Sequence, residues 1–267
     1  FAGCIKLAGM TIPEGVTVIG DSAFLGCTGL VSVTIPGGVN AIGVSAFSGC
    51  TGLTDVTVSG GVTVIGDSAF EDCTGLTGVT ILGSVTAVGR SAFSGCTALT
   101  SVALSEGVTA IGDSAFSGCI ALKDMTIPDG TVTLGDSVFK NCVGLTSVTM
   151  PKSVTAIGDS AFSGCIGLTN VIIPEGVVTM GKSVFSGCKN LTGVTIPESV
   201  TNIGNNAFSD CFGLNEVDIA DLAAWCRITF DGSDANPVFY AHKLYLNGTL
   251  ITGLTIPEDV TAIGGFA

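Results

Sequence analysis

The sequence predicts a repeat solenoid, in which one short structural unit is stacked many times along an axis. The main observation is a 23-residue period that runs through most of the 267 residues. A fixed period of about 20–50 residues is typical of solenoids and arrays. A Phe, a Cys three residues later and a Leu three residues after that Cys keep one phase. The Phe residues are Phe1, Phe24, Phe47, Phe70, Phe93, Phe116, Phe139, Phe162, Phe185 and Phe208.

Each repeat begins with a pattern that predicts a short strand. In residues 145–165, LTSVTMPKSVTAIGDSAFSGC, the spacing L-x-x-V-x-I (here with Met last) places apolar side chains on one side and Thr and Ser on the other. Pro, or a Gly/Ser pair, then ends the strand. We predict eleven stacked rungs in which these segments form a parallel sheet. They start at Leu7, Leu30, Leu53, Leu76, Leu99, Leu122, Leu145, Leu168, Leu191, Leu214 and Ile251.

The second part of the repeat predicts a corner and a turn. V-T-A-I-G forms another short extended piece, and its Gly is present in every copy from Gly20 to Gly204. This Gly predicts either a positive φ or a tight approach of two backbones. D-S-A-F-S-G-C then combines an N-cap signal with a Gly stop signal, so we expect one 3₁₀ or α turn that buries Ala, Phe and Cys.

The full motif, L-x-x-V-x-I-P-x-x-V-x-x-I-G-x-x-A-F-x-x-C, resembles the BspA-like type of leucine-rich repeat over nearly the whole chain. The resemblance implies an α/β, mostly β, leucine-rich-repeat solenoid: a right-handed horseshoe with a parallel sheet on its concave side and short helical or 3₁₀ turns. It also implies an extracellular or cell-surface location. Some members of the family are adhesins that bind extracellular-matrix proteins, and the family has no shared catalytic residues. Its binding function is not tied to a motif.

Solenoid rungs contact only their neighbours, so we predict a single domain over residues 1–267 with about eleven rungs. Both ends fall inside a rung, since Ala267 stands one residue before the next Phe position. We therefore expect a window of a longer array.

Regular phase stops after Ile219 and resumes at Ile251, which leaves an irregular long rung over residues 220–250. Its sequence predicts a short helix, a loop, and a hairpin that turns at Asn247–Gly248.

Two interpretations of the long rung stay open. In the first, Trp225, Phe230 and Tyr245 fill an enlarged core. In the second, this segment is a binding site, because rigid aromatic side chains dominate binding energies. The long rung holds the only Trp, the only His and both Tyr residues of the chain. The candidate binding residues, including two acidic strand residues beside the long rung, are Glu216, Asp218, Trp225, Tyr240, His242 and Tyr245.

Composition and charge exclude several partners. The chain is 46% hydrophobic and 12% charged, with nine basic and 22 acidic residues. Disordered chains have fewer aliphatic residues, and no apolar run reaches the ~20 residues of a membrane span. The Lys and Arg residues are scattered singly, whereas nucleic acids and anionic membranes are bound by clustered cations. We therefore predict no nucleic-acid partner and no direct membrane insertion.

The in-phase cysteines do not have metal-site spacing, because zinc ligands come in close C-x₂₋₄-C pairs. Stacked rungs put neighbouring Cys about 4.8 Å apart, but parallel Cβ vectors rarely give a disulfide dihedral. We predict that Cys27 to Cys211 are buried, reduced and metal-free. An interrupted row of Asp precedes the Ala-Phe turns. Its consecutive members Asp113, Asp136 and Asp159 would suit Ca²⁺, but we interpret the row as turn caps.

No catalytic motif is present. His242 has no nucleophile at motif spacing, and G-x-S-x-G, H-E-x-x-H and phosphate loops are missing, so we expect no enzyme activity and no cofactor. We predict a non-catalytic, adhesin-like binding module for a host or cell-surface protein, and the sequence leaves the oligomeric state open. The alternatives are a passive spacer and, remotely, a Thr array that binds ice or polysaccharide. That array comprises Thr11, Thr34, Thr57, Thr80, Thr126, Thr149, Thr195 and Thr255.

Overall fold

The computed structural model describes all 267 residues, which stack as a solenoid with parallel sheets on two of its sides. One continuous ladder, called here the narrow ladder, is formed by the V-T-A-I segments. Each of its strands is two residues long, and the second residue points into the core and is buried. With strands numbered in chain order, the narrow ladder consists of β1 (Val18–Ile19), β3 (Ala41–Ile42), β5 (Val64–Ile65), β7 (Ala87–Val88), β9 (Ala110–Ile111), β11 (Thr133–Leu134), β13 (Ala156–Ile157), β15 (Thr179–Met180), β17 (Asn202–Ile203) and β19 (Thr229–Phe230).

The L-x-x-V-x-I segments form the other side, called here the broad face. Most of its neighbouring strands pair in parallel and in register, so that Val33 lies beside Val56 and Thr34 beside Thr57. The strands are β2 (Ser32–Ile35), β4 (Asp55–Val58), β6 (Gly78–Ile81), β8 (Ser101–Ala103), β10 (Asp124–Thr126), β12 (Ser147–Thr149), β14 (Asn170–Ile172), β16 (Gly193–Ile196) and β18 (Glu216–Ile219).

The predicted parallel sheet is confirmed, but only nine of the eleven predicted segments form strands. The segment from Leu7 is joined to the strand segment of the next rung by a single backbone hydrogen bond, in which Val31 donates its N–H to the Ala8 carbonyl. The segment from Ile251 is kept away from β18, because a hairpin of the long rung pairs with that strand first.

The predicted turn at D-S-A-F-S-G-C buries Ala, Phe and Cys as expected, but its helical form is wrong, because it consists of successive i→i+3 turns. Ser45 has a left-handed backbone (φ 53°), and every equivalent Ser from Ser22 to Ser183 also has a positive φ. The N–H of Phe47 donates to the Ala69 carbonyl of the next rung at 2.8 Å, whereas the N–H of Cys50 donates to Phe47 within the rung at 3.1 Å. Alternate N–H groups of the turn thus donate to carbonyls of the next rung, whereas in a helix they would donate within the same segment.

The predicted role of the Asp row is also wrong. These carboxylates do not cap their own turns. Asp21 Oδ1 instead accepts the backbone N–H of Val44, the equivalent residue one rung later, at 2.7 Å. Asp136 Oδ1 accepts the N–H of Asp159 in the same way at 2.7 Å. Any residue can follow such an Asp, because only a backbone N–H is needed, and the row tolerates interruption.

The repeated corner Gly is required by a close approach of backbones, and its φ is not positive. A Cβ built on Gly135 would lie 2.6 Å from the Asp113 nitrogen and 2.6 Å from the Gly112 carbonyl carbon. Gly20, which has no rung packed against it on that side, would meet nothing within 4 Å. Stacking between rungs therefore selects Gly at this corner.

A column of Phe and Cys side chains fills the core. Neighbouring Phe rings stack with centroids 5.1–5.6 Å apart. Cys27 to Cys211 are buried free thiols, as the sequence predicts, whereas Cys4 is exposed. Each buried thiol also donates to the Phe carbonyl of the preceding rung, as Cys50 does to Phe24 at 3.1 Å. Cys is therefore a small residue that also supplies a hydrogen-bond donor.

We expect Gly135→Ala to lower the free energy of unfolding by about 1–3 kcal/mol, because its methyl group would collide with a rigid backbone. Gly20→Ala is the matched control and should change it by less than about 0.5 kcal/mol. Urea denaturation followed by circular dichroism measures both. Equal effects would contradict the close-approach explanation.

Phe116→Ala should cost about 3–5 kcal/mol in unfolding free energy, since the ring is fully buried between Phe93 and Phe139 and its removal leaves a cavity. Phe212→Ala, at a ring that is 71% exposed, provides the control. Chemical denaturation of the two variants should separate them by at least about 2 kcal/mol. A smaller gap would mean that the Phe column is not a main source of stability.

Stability should fall at alkaline pH. Burial raises the pKa of the thiol from an ordinary 9.0 to about 11 at Cys50 and to about 12 at Cys142. The unfolded chain loses these protons first, so stability is complete below pH 9 and decreases between about pH 9 and 12. Urea midpoints measured across this range should show the decrease, and Cys142→Ala should make it shallower.

Titration of the denatured chain should find all 11 thiols free, and fewer would contradict the reduced state.

Candidate functional site

The long rung folds as a helix, a loop, a second helix and a hairpin. Helix α1 (Leu222–Arg227) begins where Asp221 accepts the N–H of Ala224 at 2.6 Å. After β19 come a 3₁₀ turn (Ser233–Ala235) and helix α2 (Val238–Ala241). The predicted helix, loop and hairpin are confirmed, and α2 is an addition. The hairpin strands are β20 (Leu244–Leu246) and β21 (Thr249–Leu250), which pair antiparallel.

Trp225 belongs to the core. Its side chain is only 5% exposed and packs edge to face on Phe230, with ring centroids 5.2 Å apart. This contact joins α1 to the last strand of the narrow ladder. The core-filling interpretation therefore describes Trp225 and Phe230, and little of the Trp225 ring is accessible to a partner.

The hairpin extends the broad face by one strand. Strand β20 pairs in parallel with β18, which puts Tyr245 beside Asp218. Asp218 Oδ1 accepts the N–H of Gly248 at 2.9 Å and so fixes the hairpin turn. Asn247 and Gly248 both have positive φ (49° and 76°), as a two-residue hairpin turn requires. Glu216 is exposed on the same side of β18, so the structure brings Glu216, Asp218 and Tyr245 onto one surface.

A second group of side chains lies around α2. Tyr240 packs edge to face against Phe212 (centroids 6.4 Å apart) and Phe239 (5.2 Å). Phe212 is 71% exposed and Phe239 is 53% exposed. We call Phe212, Phe239 and Tyr240 the aromatic patch. Sequence reasoning found Tyr240 but missed both Phe residues. The available signal was Phe212, because other rungs have Thr, Ile, Val or Lys directly after the Cys.

One long hydrogen bond links the aromatic patch to the backbone of the neighbouring turn. Tyr240 Oη accepts the backbone N–H of Asp210 at 3.4 Å. Partial burial raises the pKa of the Tyr240 phenol above its ordinary 10.0. A phenol is neutral at physiological pH in either case and can donate a hydrogen bond. The last predicted residue, His242, is exposed at the end of α2, where its left-handed backbone (φ 55°) ends the helix.

Behind α1 lies an open, acidic cleft of about 980 Å³. Glu198 and Asp221 line this cleft. Arg227 and Asp259 also line it and form an ion pair at 2.6 Å. No group of three or more His, Cys, Asp or Glu side chains is placed to hold a metal ion. None of the helices is long and apolar enough to cross a membrane.

The stacked rungs and their L-x-x-V-x-I sheet define a leucine-rich-repeat module. The profile of the BspA type leucine rich repeat region matches the chain in six copies, over residues 1–123 and 86–215. The chain therefore belongs to the BspA-type leucine-rich-repeat family.

Two solved structures illustrate the relationship. A leucine-rich repeat protein from Bacteroides ovatus ATCC 8483 is 32% identical, with a TM-score of 0.66, and the match covers 84% of this chain and 65% of that one. The chain thus spans less than two thirds of the length of that protein. A leucine-rich repeat protein from T. pallidum is 28% identical, with a TM-score of 0.57, over 77% of this chain and 86% of that one. No curated protein sequence matches the chain.

Proposed function

We propose that this chain is a non-catalytic, secreted or cell-surface binding module that contacts a host or cell-surface protein, such as an extracellular-matrix protein, in the manner of an adhesin. Membership of a family of repeat modules supports this proposal, because stacked repeats present extended surfaces to partners. The observation that carries it is the exposed aromatic patch beside the end of the broad face.

The aromatic patch differs from the rest of the surface. The regular rungs offer nearly identical Thr, Ser and Gly side chains, which give a partner little to distinguish. Phe212 and Phe239 expose large rings to solvent, and clustered exposed apolar side chains typically mark interaction sites. Aromatic side chains also dominate the energies of protein interfaces.

The surroundings of the patch favour binding as well. The Asp210–Tyr240 bond and the edge-to-face contacts restrict the Tyr240 ring, which reduces the conformational entropy lost when a partner binds. We place His242 at the edge of the site. Glu216, Asp218 and Tyr245 form its extension on the broad face. Trp225 supports the site from within the core.

The Thr-array alternative is less well supported. Thr34, Thr57 and Thr80 do stand in register on the broad face, but Ala103 follows them in the row. Farther along, the same row contains the exposed Ile172 and then Asp218 and Tyr245. A repeating lattice partner would meet a different side chain at each of these positions.

The test is a binding assay against a panel of purified extracellular-matrix proteins. The double variant Phe212→Ser, Phe239→Ser should lose at least about tenfold in affinity, equivalent to ~1.4 kcal/mol. The matched control is Ile120→Ser, Ile166→Ser, which alters exposed apolar residues at the Phe212 position of regular rungs. Circular dichroism checks that both variants fold.

Loss in the patch variant with retention in the control supports the proposed site. Equal binding by wild type and the patch variant would contradict the site and move recognition to the regular broad face. If the wild type binds no member of the panel, the spacer alternative gains and the adhesin-like proposal fails.

A further inference from the structure

The broad face is interrupted twice, whereas the narrow ladder is continuous. Strands β2, β4, β6 and β8 form one sheet, β10 and β12 a second, and β14, β16, β18, β20 and β21 a third. No strand pairing joins β8 to β10, or β12 to β14. We call these interruptions the first seam (between residues 100–104 and 123–127) and the second seam (between residues 146–150 and 169–173).

Backbone hydrogen bonding shows the same two interruptions. In regular rungs the N–H that precedes the strand donates to the preceding rung, as Thr100 does to Thr77 at 2.9 Å and Thr192 to Thr169 at 2.8 Å. The equivalent N–H groups at the seams belong to Lys123 and Thr169, and neither makes this bond. At the second seam the N–H of Gly167, two residues earlier, donates to the Val143 carbonyl at 3.0 Å, so the rungs stay joined just before the strands, and the strands themselves are unpaired.

Core packing is looser there as well. The inward-pointing strand residues are buried in most rungs, but Val102 and Leu104 at the first seam and Val148 and Met150 at the second are partly exposed. Open spaces of about 470 Å³ and 440 Å³ lie against these residues. Each seam thus combines missing hydrogen bonds with incomplete packing.

The sequence departs from the repeat beside the seams. At the first, Leu104–Ser105 stands where six of the eleven copies have Ile–Pro, and Lys123 stands where most copies have Thr. Elsewhere that Thr hydroxyl donates to the preceding rung, as Thr77 does to Thr54 at 3.1 Å. Val58–Ser59 and Ile81–Leu82 also depart from Ile–Pro, but their strands stay paired, so the seam coincides with the combination of both departures. At the second seam Met150 replaces Ile.

The opposite side of the solenoid stays closed. Across the first seam, Gly135 donates its N–H to Ile111 at 3.1 Å, and across the second, Gly181 donates to Ile157 at 2.9 Å. The Phe rings also stay stacked, with centroids 5.6 Å apart across the first seam (Phe116–Phe139) and 5.4 Å apart across the second (Phe162–Phe185). A rung pair that is open on one side and closed on the other has the form of a hinge.

We infer that the two seams are hinges, at which the broad face opens and closes while the narrow ladder and the Phe column remain intact. They divide the broad face into three blocks, and the last block carries the aromatic patch. Bending at the seams changes the direction in which the patch faces relative to the first block. This inference is independent of the proposed function, since it concerns motion of the free protein.

Hydrogen exchange followed by mass spectrometry tests the seams directly. Residues 121–127 and 167–173 should exchange roughly tenfold faster than the equivalent residues 75–81 and 190–196, because locally open segments exchange without global unfolding. The regular rungs serve as internal controls of matched sequence. Equal protection in all four segments would overturn the inference.

A repair variant tests the sequence origin. Leu104→Ile, Ser105→Pro and Lys123→Thr together restore the repeat at the first seam only. Exchange in residues 121–127 should slow to the rate of the regular rungs, while residues 167–173 stay fast. If residues 121–127 remain fast in the folded variant, these substitutions are not the cause of the hinge.

Distance measurements between spin labels test the motion itself. In a Cys4→Ser background, which removes the exposed thiol, labels at Ala103→Cys and Ile172→Cys span three rungs and both seams. Labels at Thr34→Cys and Ala103→Cys span three rungs within one block. The distance distribution should be wider for the first pair. Equal widths would show that the seams do not bend.

Discussion

Backbone stacking between successive rungs is the constraint on which the rest of this structure depends. Each rung uses the next one to satisfy its backbone, through the narrow ladder, the broad face and the N–H groups of the Ala-Phe turns. The same stacking requires Gly at the repeated corner and a left-handed Ser in the turn. A 23-residue period is therefore maintained by hydrogen bonding and close contact as well as by the apolar core.

The core follows from that stacking. Rungs in register put Phe on Phe, and they put each Cys thiol next to a Phe carbonyl of the preceding rung. No buried side-chain nitrogen or oxygen lacks a hydrogen-bond partner. Burial raises the pKa of the in-phase thiols from Cys50 to Cys211, and these thiols contribute packing and donors, not reactivity.

Distinct surface features arise where the repeat is broken. The long rung adds α2 and a hairpin, which create an aromatic patch that no regular rung has. Smaller departures such as Lys123 and Met150 keep the 23-residue length but accompany lost strand pairing. One kind of irregularity thus carries the proposed binding site, and the other the proposed hinges.

Four features could be predicted from the sequence, because the repeat period and turn chemistry can be read from it directly: the solenoid, the inward residues of both strands, the burial of the Cys row and the hairpin at Asn247–Gly248. The hydrogen-bond and packing partners of individual side chains, in contrast, depend on the fold. Asp21 bonds to the following rung and Phe212 meets Tyr240 from 28 positions away in the chain. Trp225 is buried in the core, where it packs on Phe230. These contacts join residues distant in sequence, and their geometry depends on how one rung lies on another.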